Sequence, residues 1–251
     1  MTALLSLALA GAALAAPAVP ADDALDDKVV ERLDEYDDAY NEWRAESRRI
    51  SQMELAAGEE RPAMPPNPAK DFWPDFDGFA AAGSARAQVW CLQHYMAEGD
   101  EQARRTDFTR RAFSVFADAD ADLSAMPRAL YGASRGPLDK EGARALLVML
   151  QEVCQDAELD AEAAYMRIMV IRERDASAEL EARMMDEYRA LAKAYPETKY
   201  GRRADGMVFK ADNLQIGMVA PDIVGADVDG NPMKLSDFRG KVTVIDFWGF
   251  W

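Results

Sequence analysis

The chain has 251 residues, enough for two domains of ordinary size, each with its own core. A composition of 49% hydrophobic and 29% charged residues lies inside the globular range and excludes a wholly disordered chain. With 45 Asp plus Glu against 29 Lys plus Arg, the net charge of -16 repels phosphate backbones and anionic lipid heads, which argues against a nucleic-acid partner.

From Thr2 to Ala21 the chain is uncharged and rich in Ala and Leu. Small residues at Ala13, Ala15 and Ala16 offer a cleavage site before Pro17. Residues 1–21 therefore read as a secretory signal peptide rather than a membrane anchor, and the protein is expected to be exported, to the periplasm or beyond the cell. No other stretch is long and apolar enough to span a bilayer.

A long amphipathic helix is predicted from Asp22 to about Glu54, because Leu25, Val29, Leu33, Tyr36, Tyr40 and Trp43 recur by threes and fours. The acids Asp26, Asp27, Asp34, Glu35, Asp37 and Asp38 fall mainly off that stripe and read as a solvated face. Five prolines between Pro62 and Pro74 then predict a surface loop over 58–79, whose aromatic tail (Phe72, Trp73, Phe76, Phe79) pins it to the following helices.

A second helix carries Ala85, Val89, Leu92 and Met96. Others are predicted near Phe108–Ala117, Glu141–Cys154 and Ala161–Ile171, then along the stripe from Leu180 to Tyr195, and finally from Lys199 to Asp212. Short connections favour antiparallel neighbours. The stretch from Ala194 to Gly201 resembles the turn of tetratricopeptide-like hairpins, where Pro stops one helix and a hydroxyl residue caps the next. No repeat of matching period persists. Residues 22–213 thus read as a mainly α domain, a bundle or a set of helical hairpins.

Few residues in this portion suggest chemistry. Asp118, Asp120 and Asp122 alternate like the start of a calcium loop, but Leu123 stands where that loop needs glycine and Ala129 where it needs glutamate. Cys91 and Cys154 match no C-x-x-C pattern; they are either buried small hydrophobes or a structural disulfide between two helices. His94 follows Cys91 on one helical face, but without a second pair of ligands no zinc site is expected, nor any other metal or cofactor.

The composition changes near residue 214. Asp229-Gly230-Asn231 between extended residues predicts a β-hairpin with positive φ at both central turn positions. Ser236 is expected to cap a short turn or helix. Val242, Val244, Ile245 and Phe247 predict a strand of the kind buried on both faces of a central sheet.

Three motifs in this segment, Ala220-Pro221-Asp222, Leu235 through Val242, and Asp246 through Trp251, resemble the redoxin branch of the thioredoxin superfamily, the AhpC/TSA-like and TlpA/ResA-like proteins. The likeness covers about 35 residues and implies that 214–251 is the first hairpin and strand of an α/β thioredoxin-like domain. In that family Phe-Trp-x-x-Trp is followed at once by Cys-x-x-Cys, whose first thiolate attacks a disulfide and whose second thiol resolves the mixed disulfide. The resemblance implies a proton-accepting role for Asp246, though a strand Asp paired with a polar neighbour is the alternative reading. It implies packing around the redox loop for Trp248 and Trp251.

No cysteine lies in this segment. The expectation is an incomplete domain, inactive by itself, whose redox Cys or Sec follows Trp251. A UGA codon for selenocysteine or an incomplete sequence would account for its absence. The complete protein would be an exported thiol-disulfide oxidoreductase or thiol peroxidase acting on protein or small-molecule disulfides or peroxides. Its helical part would serve docking or self-association. The alternative is a non-catalytic helical interaction protein carrying a redoxin remnant.

Overall fold

The computed structural model describes residues 23–54, 59–172 and 176–246. The expected signal peptide and both tryptophans of the redox loop, Trp248 and Trp251, lie outside them. Among the described residues the chain is mainly helical, with one two-stranded antiparallel sheet near its C-terminal end. The helices are α1 (Asp23–Ser51), α2 (Ala69–Ala81), α3 (Ala85–Gln93), α4 (Glu101–Ala117), α5 (Met126–Ala133), α6 (Lys140–Val153), α7 (Ala157–Ile171), α8 (Ala178–Ala194) and α9 (Lys199–Asn213).

Most boundaries are written in the sequence as caps. Ser84, Asp100, Asp139, Asp156, Ser177 and Thr198 each accept a hydrogen bond from a backbone N–H of the first turn of α3, α4, α6, α7, α8 and α9. Each such cap is worth about 1 kcal/mol. Asp100 and Asp156 explain why α4 and α7 begin earlier than their apolar stripes suggest. Helix α5 was not expected at all. It is eight residues long, and Pro127 sits in its first turn, where a missing N–H costs nothing.

The expected loop over 58–79 is corrected in its second half, which is helix α2. Pro68 precedes the helix with φ already at -62°, and Asn67 Oδ1 accepts from Ala69 N at 2.9 Å. Pro74 lies inside the helix, a position that costs about 3 kcal/mol in isolation. Burial outweighs that cost. Ala69 and Phe76 are fully buried, and the Phe76 ring stacks on Trp90 at 4.0 Å. The aromatic tail does pin this stretch to its neighbours, but as a helix.

Three apolar clusters follow one another along the chain. The first joins α1, α2 and α3 through Val29, Tyr36, Phe76, Trp90 and Cys91. The second joins α3 to α7 through Leu92, Phe108, Leu130, Leu146 and Leu150, and the third joins α7, α8 and α9 through Tyr165, Ile168, Met184, Tyr188 and Tyr200. Helix α3 gives Trp90 to the first cluster and Leu92 to the second, while α7 gives Val170 to the second and Ile168 to the third. Each of these helices buries apolar side chains on two faces, which ties the stack together and blurs its amphipathic period. Each leucine buried in the middle cluster contributes about 2 kcal/mol.

The turn between α8 and α9 follows the expected chemistry. Thr198 Oγ1 accepts from Gly201 N at 2.9 Å and donates to Tyr195 O at 2.9 Å. A Cβ at Gly201 would lie 1.7 Å from the Tyr195 carbonyl oxygen, so this close approach admits glycine alone.

Beyond α9 the character changes. No residue from 214 to 246 is buried. Strand β1 (Val224–Ala226) pairs with β2 (Pro232–Lys234) in the register Val224 to Lys234, Gly225 to Met233 and Ala226 to Pro232, and a 3-10 turn (Leu235–Phe238) follows. The expected strand from Val242 is not formed over its described residues. Val242 and Val244 are 98% and 89% exposed, with no neighbouring strand to take their backbone groups.

Candidate functional site

The β-hairpin is held by two aspartates. Asp227 N donates to Asn231 O, while its Oδ1 accepts from Asp229 N and Asn231 N, all at 2.9 Å; Oδ2 accepts from Asn231 Nδ2 at 3.0 Å. The five-residue connection thus wraps around one carboxylate, whose proton affinity these bonds lower. Only Gly230 takes positive φ, at 85°, so the expected turn with two such residues is corrected. The side chain of Asp227 supplies the reversal that a second left-handed residue would have supplied.

The second aspartate joins two of the motifs. Asp222 Oδ1 accepts from Ser236 N at 2.8 Å, and its Oδ2 accepts from Ser236 Oγ at 2.7 Å. These bonds hold the Asp222 carboxyl below its ordinary range. Ser236 was expected as a cap, but it lies within the 3-10 turn and spends its hydroxyl on Asp222. Asp237 Oδ2 instead accepts from Lys234 N at 3.1 Å. Leu235 N donates to Ile223 O at 2.9 Å, so side chains and backbone both clamp the Asp222 strand end to the Ser236 turn. Asp246 is exposed at the end of the described residues, and Trp248 and Trp251 lie outside them.

Both cysteines are free, so the alternative of a disulfide between them is corrected. Cys91 is fully buried in the first cluster, and that burial pushes its thiol up to about 12, which makes it an inert packing group. Cys154 ends α6, where its Sγ lies 3.4 Å from the Asp156 carbonyl oxygen. His94 Nε2 lies 3.3 Å from Tyr36 Oη, and its ring packs 4.6 Å from that of Trp90. Burial lowers its pKa to about 4, so the imidazole is neutral at ordinary pH. Among the described residues no three His, Cys, Asp or Glu side chains gather as a metal site. Asp118 and Asp122 accept from the backbone N–H groups of Asp120 and Ser124, shaping the loop between α4 and α5.

The densest polar groups went unnoticed in the sequence. Arg111, 7% exposed, donates to Asp107 at 2.8 Å and to Asp77, and lies 3.4 Å from Gln88 Oε1. Tyr95 Oη donates to the Arg104 carbonyl at 2.9 Å and lies 3.0 Å from Asp107 Oδ2. This knot holds α2, α3 and α4 together. Three arginines, Arg144, Arg167 and Arg183, surround Glu187 farther along the stack. The available signal was arginine inside apolar stripes, at helix positions whose neighbours are buried.

Comparison with known proteins bears on the redoxin resemblance. The chain is 39% identical over 46 residues to the thiol-disulfide oxidoreductase ResA of Bacillus thuringiensis subsp. konkukian, a stretch that is 18% of this chain and 27% of that protein. It is 47% identical over 38 residues to ResA of Geobacillus kaustophilus, covering 15% of this chain and 22% of that protein. The chain spans about a quarter of the length of these curated relatives. These short matches place a thioredoxin-like redoxin relationship on part of the chain. No family model matches it, and no solved structure does.

Proposed function

We propose that the complete protein is an exported thiol-disulfide oxidoreductase of redoxin type, with a thiol peroxidase as the neighbouring possibility within the same chemistry. The observation that carries this reading is the 46-residue likeness to ResA proteins, together with the three redoxin motifs in order along 214–251. The Asp222–Ser236 clamp supports it, because it binds two of those motifs into one local structure. In this reading a Cys or Sec follows Trp251. Its thiolate or selenolate attacks a substrate disulfide and expels one sulfur as a thiolate. A second cysteine then attacks the mixed disulfide, so the substrate leaves reduced and the protein oxidised. Asp246 is the residue suited to take the proton of the resolving thiol. The helical part, with its strongly acidic surface, would dock a partner or a second copy.

One observation favours a second reading, a helical interaction protein with a redoxin remnant: every buried residue among those described lies at or before Ala204. The two readings separate at the protein level. The natural product is purified from its source, its intact mass and C-terminal peptide are read, and it is assayed with a dithiol reductant and a chromogenic disulfide. A product extended beyond Trp251 by a redox Cys or Sec, with turnover lost on alkylation, is the expected result. A product ending at Trp251 that exchanges no disulfide would leave the helical part as the functional unit.

A further inference from the structure

The segment between α1 and α2 carries Pro62, Pro65, Pro66 and Pro68. Every residue from Arg61 to Asn67 except Ala63 is a proline or stands directly before one. The proline ring fixes φ, and its clash with the preceding residue pushes that residue into the extended region. The stretch is therefore an extended strap of polyproline II type, a conformation without internal hydrogen bonds. No residue from 61 to 68 is buried, and Met64 is 50% exposed.

The strap runs back along the C-terminal half of α1. At one end the Arg61 guanidinium donates to Ile50 O, and to Met53 O at 3.3 Å. These carbonyls stand where a helix leaves acceptors unpaired and its dipole favours a cation. Four residues on, Pro65 O accepts from Trp43 Nε1 at 2.9 Å. Four polyproline II steps cover about 12 Å and the seven helical steps from Ile50 to Trp43 about 10 Å, so the two anchor points match in spacing. The Trp43 ring stacks on Tyr40 at 5.3 Å and Tyr40 on Tyr36 at 5.8 Å, a ladder of rings whose last member holds Pro65.

The ladder is fixed from its other side. Tyr36 is 4% exposed and makes edge contacts with Phe72 and Trp90 at 5.4 and 5.2 Å. The strap supplies no buried side chain and leaves Pro62, Ala63, Met64 and Pro66 in solvent. A segment with so little burial opens locally at small cost. Opening presents an indole N–H donor, stacked rings and helix-end carbonyls on a framework held by α2 and α3. Aromatic faces with a donor at their edge are the chemistry by which extended proline-rich peptides are recognised.

We propose that the C-terminal half of α1 is a recognition site for extended peptides of the form Arg-Pro-x-x-Pro, and that the strap is its resident, displaceable occupant. The guanidinium on the Ile50 and Met53 carbonyls sets the register, and the proline carbonyl on Trp43 Nε1 fixes the peptide backbone. The prolines supply a chain that is already extended and loses little entropy on binding. The partner is a proline-rich segment of another protein, and the strap keeps the site closed until such a segment displaces it. The proposal is independent of any redox activity.

A synthetic peptide copying residues 60–69, blocked at both ends, is titrated by calorimetry and NMR into the full chain and into the full chain carrying Arg61→Ala and Pro65→Ala, which loosen the strap and leave α1 untouched. Saturable one-to-one binding to the double variant, at least tenfold tighter than to the unaltered chain, is the expected result, because the tethered strap competes. Binding should move the Trp43 indole N–H resonance toward its position in the unaltered chain. Trp43→Phe, added to the double variant, keeps a ring but removes the donor and should weaken the peptide at least fivefold. A peptide with its arginine and prolines replaced by alanine should not bind. The helical circular-dichroism signal is the check on folding, with Arg61→Ala alone as the milder variant. Absence of saturable binding to either strap variant at millimolar peptide, equal binding of the alanine peptide, equal affinity for altered and unaltered chains, or binding untouched by Trp43→Phe would each overturn the proposal. Loss of the helical signal in both strap variants would overturn it too, by making the strap part of the core.

Discussion

Two hairpins close the described chain, α8 with α9 and β1 with β2, and they share a construction. In each a polar side chain organises the turn, Thr198 in one and Asp227 in the other, and a glycine occupies a spot that no other residue fits without strain, Gly201 and Gly230. Their flanks differ. Met184, Tyr188 and Leu191 are buried against α7, whereas Val224 and Met233 are 77% and 41% exposed. Thirteen of the seventeen exposed large apolar side chains among the described residues fall between 209 and 245. Turn chemistry therefore fixes the shape of both hairpins, while burial separates them in stability.

Hydrogen exchange measures that separation directly and carries the largest expected effect. Amides of α6 to α8 should be protected by several orders of magnitude more than those of 224–234. Equal protection in both would break the comparison and show that the β-hairpin is covered in solution.

Within the helical part, Arg111→Ala leaves Asp107 without its buried partner and should cost about 3 kcal/mol, read as a lowered urea midpoint. Gly201→Ala forces a Cβ into the Tyr195 carbonyl and should cost about 2 kcal/mol, and the loss should be local to α8 and α9. The matching change Gly230→Ala meets open space and only its positive φ, so it should leave the helical melt unmoved. A helical melt that shifts equally for both alanine variants would contradict the contrast.

These residues also mark what could be read from sequence. The Thr198 turn and the Asp-Gly hairpin were legible because capping and turn preferences act over a few residues. Helix α2 was not, since Pro74 and its neighbours argue locally against helix and only the stacking of Phe76 on Trp90 reverses the balance. The strand expected from Val242 fails for the opposite reason: its local pattern is right, but a strand exists only by pairing. At the candidate site the redoxin motifs were legible as spacing, yet the Asp222–Ser236 bond that links them spans fourteen residues and needed coordinates.

The pH dependence of stability probes the first cluster. His94 has its pKa lowered to about 4 by burial, below its ordinary value near 6.5, so the folded state prefers the neutral ring. Its contribution is present in full above pH 6.5 and is lost as pH falls toward 4, because the unfolded chain takes up the proton first. The urea midpoint of the full chain should fall over that window by an amount equivalent to about 3 kcal/mol at most. His94→Gln should remove that part of the slope, and a variant with the slope unchanged would assign it to the carboxylates instead.

The smallest expected effect is the most informative about the C-terminal segment. Asp222→Ala removes both acceptors of Ser236, a side-chain link between the Ala220-Pro221-Asp222 motif and the turn that follows β2. Asp222 is exposed and Ser236 half-buried, so water replaces the lost bonds and the helical melt should not change. What should change is local: the Ser236 amide resonance moves and its exchange accelerates, while Asp227 keeps the hairpin turn closed. Asp222→Asn retains one acceptor and should restore part of the Ser236 protection. If instead the melt of α8 and α9 shifts with Asp222→Ala, the β-hairpin is energetically coupled to the helical stack, and the contrast between the two hairpins is one of exposure and not of independence.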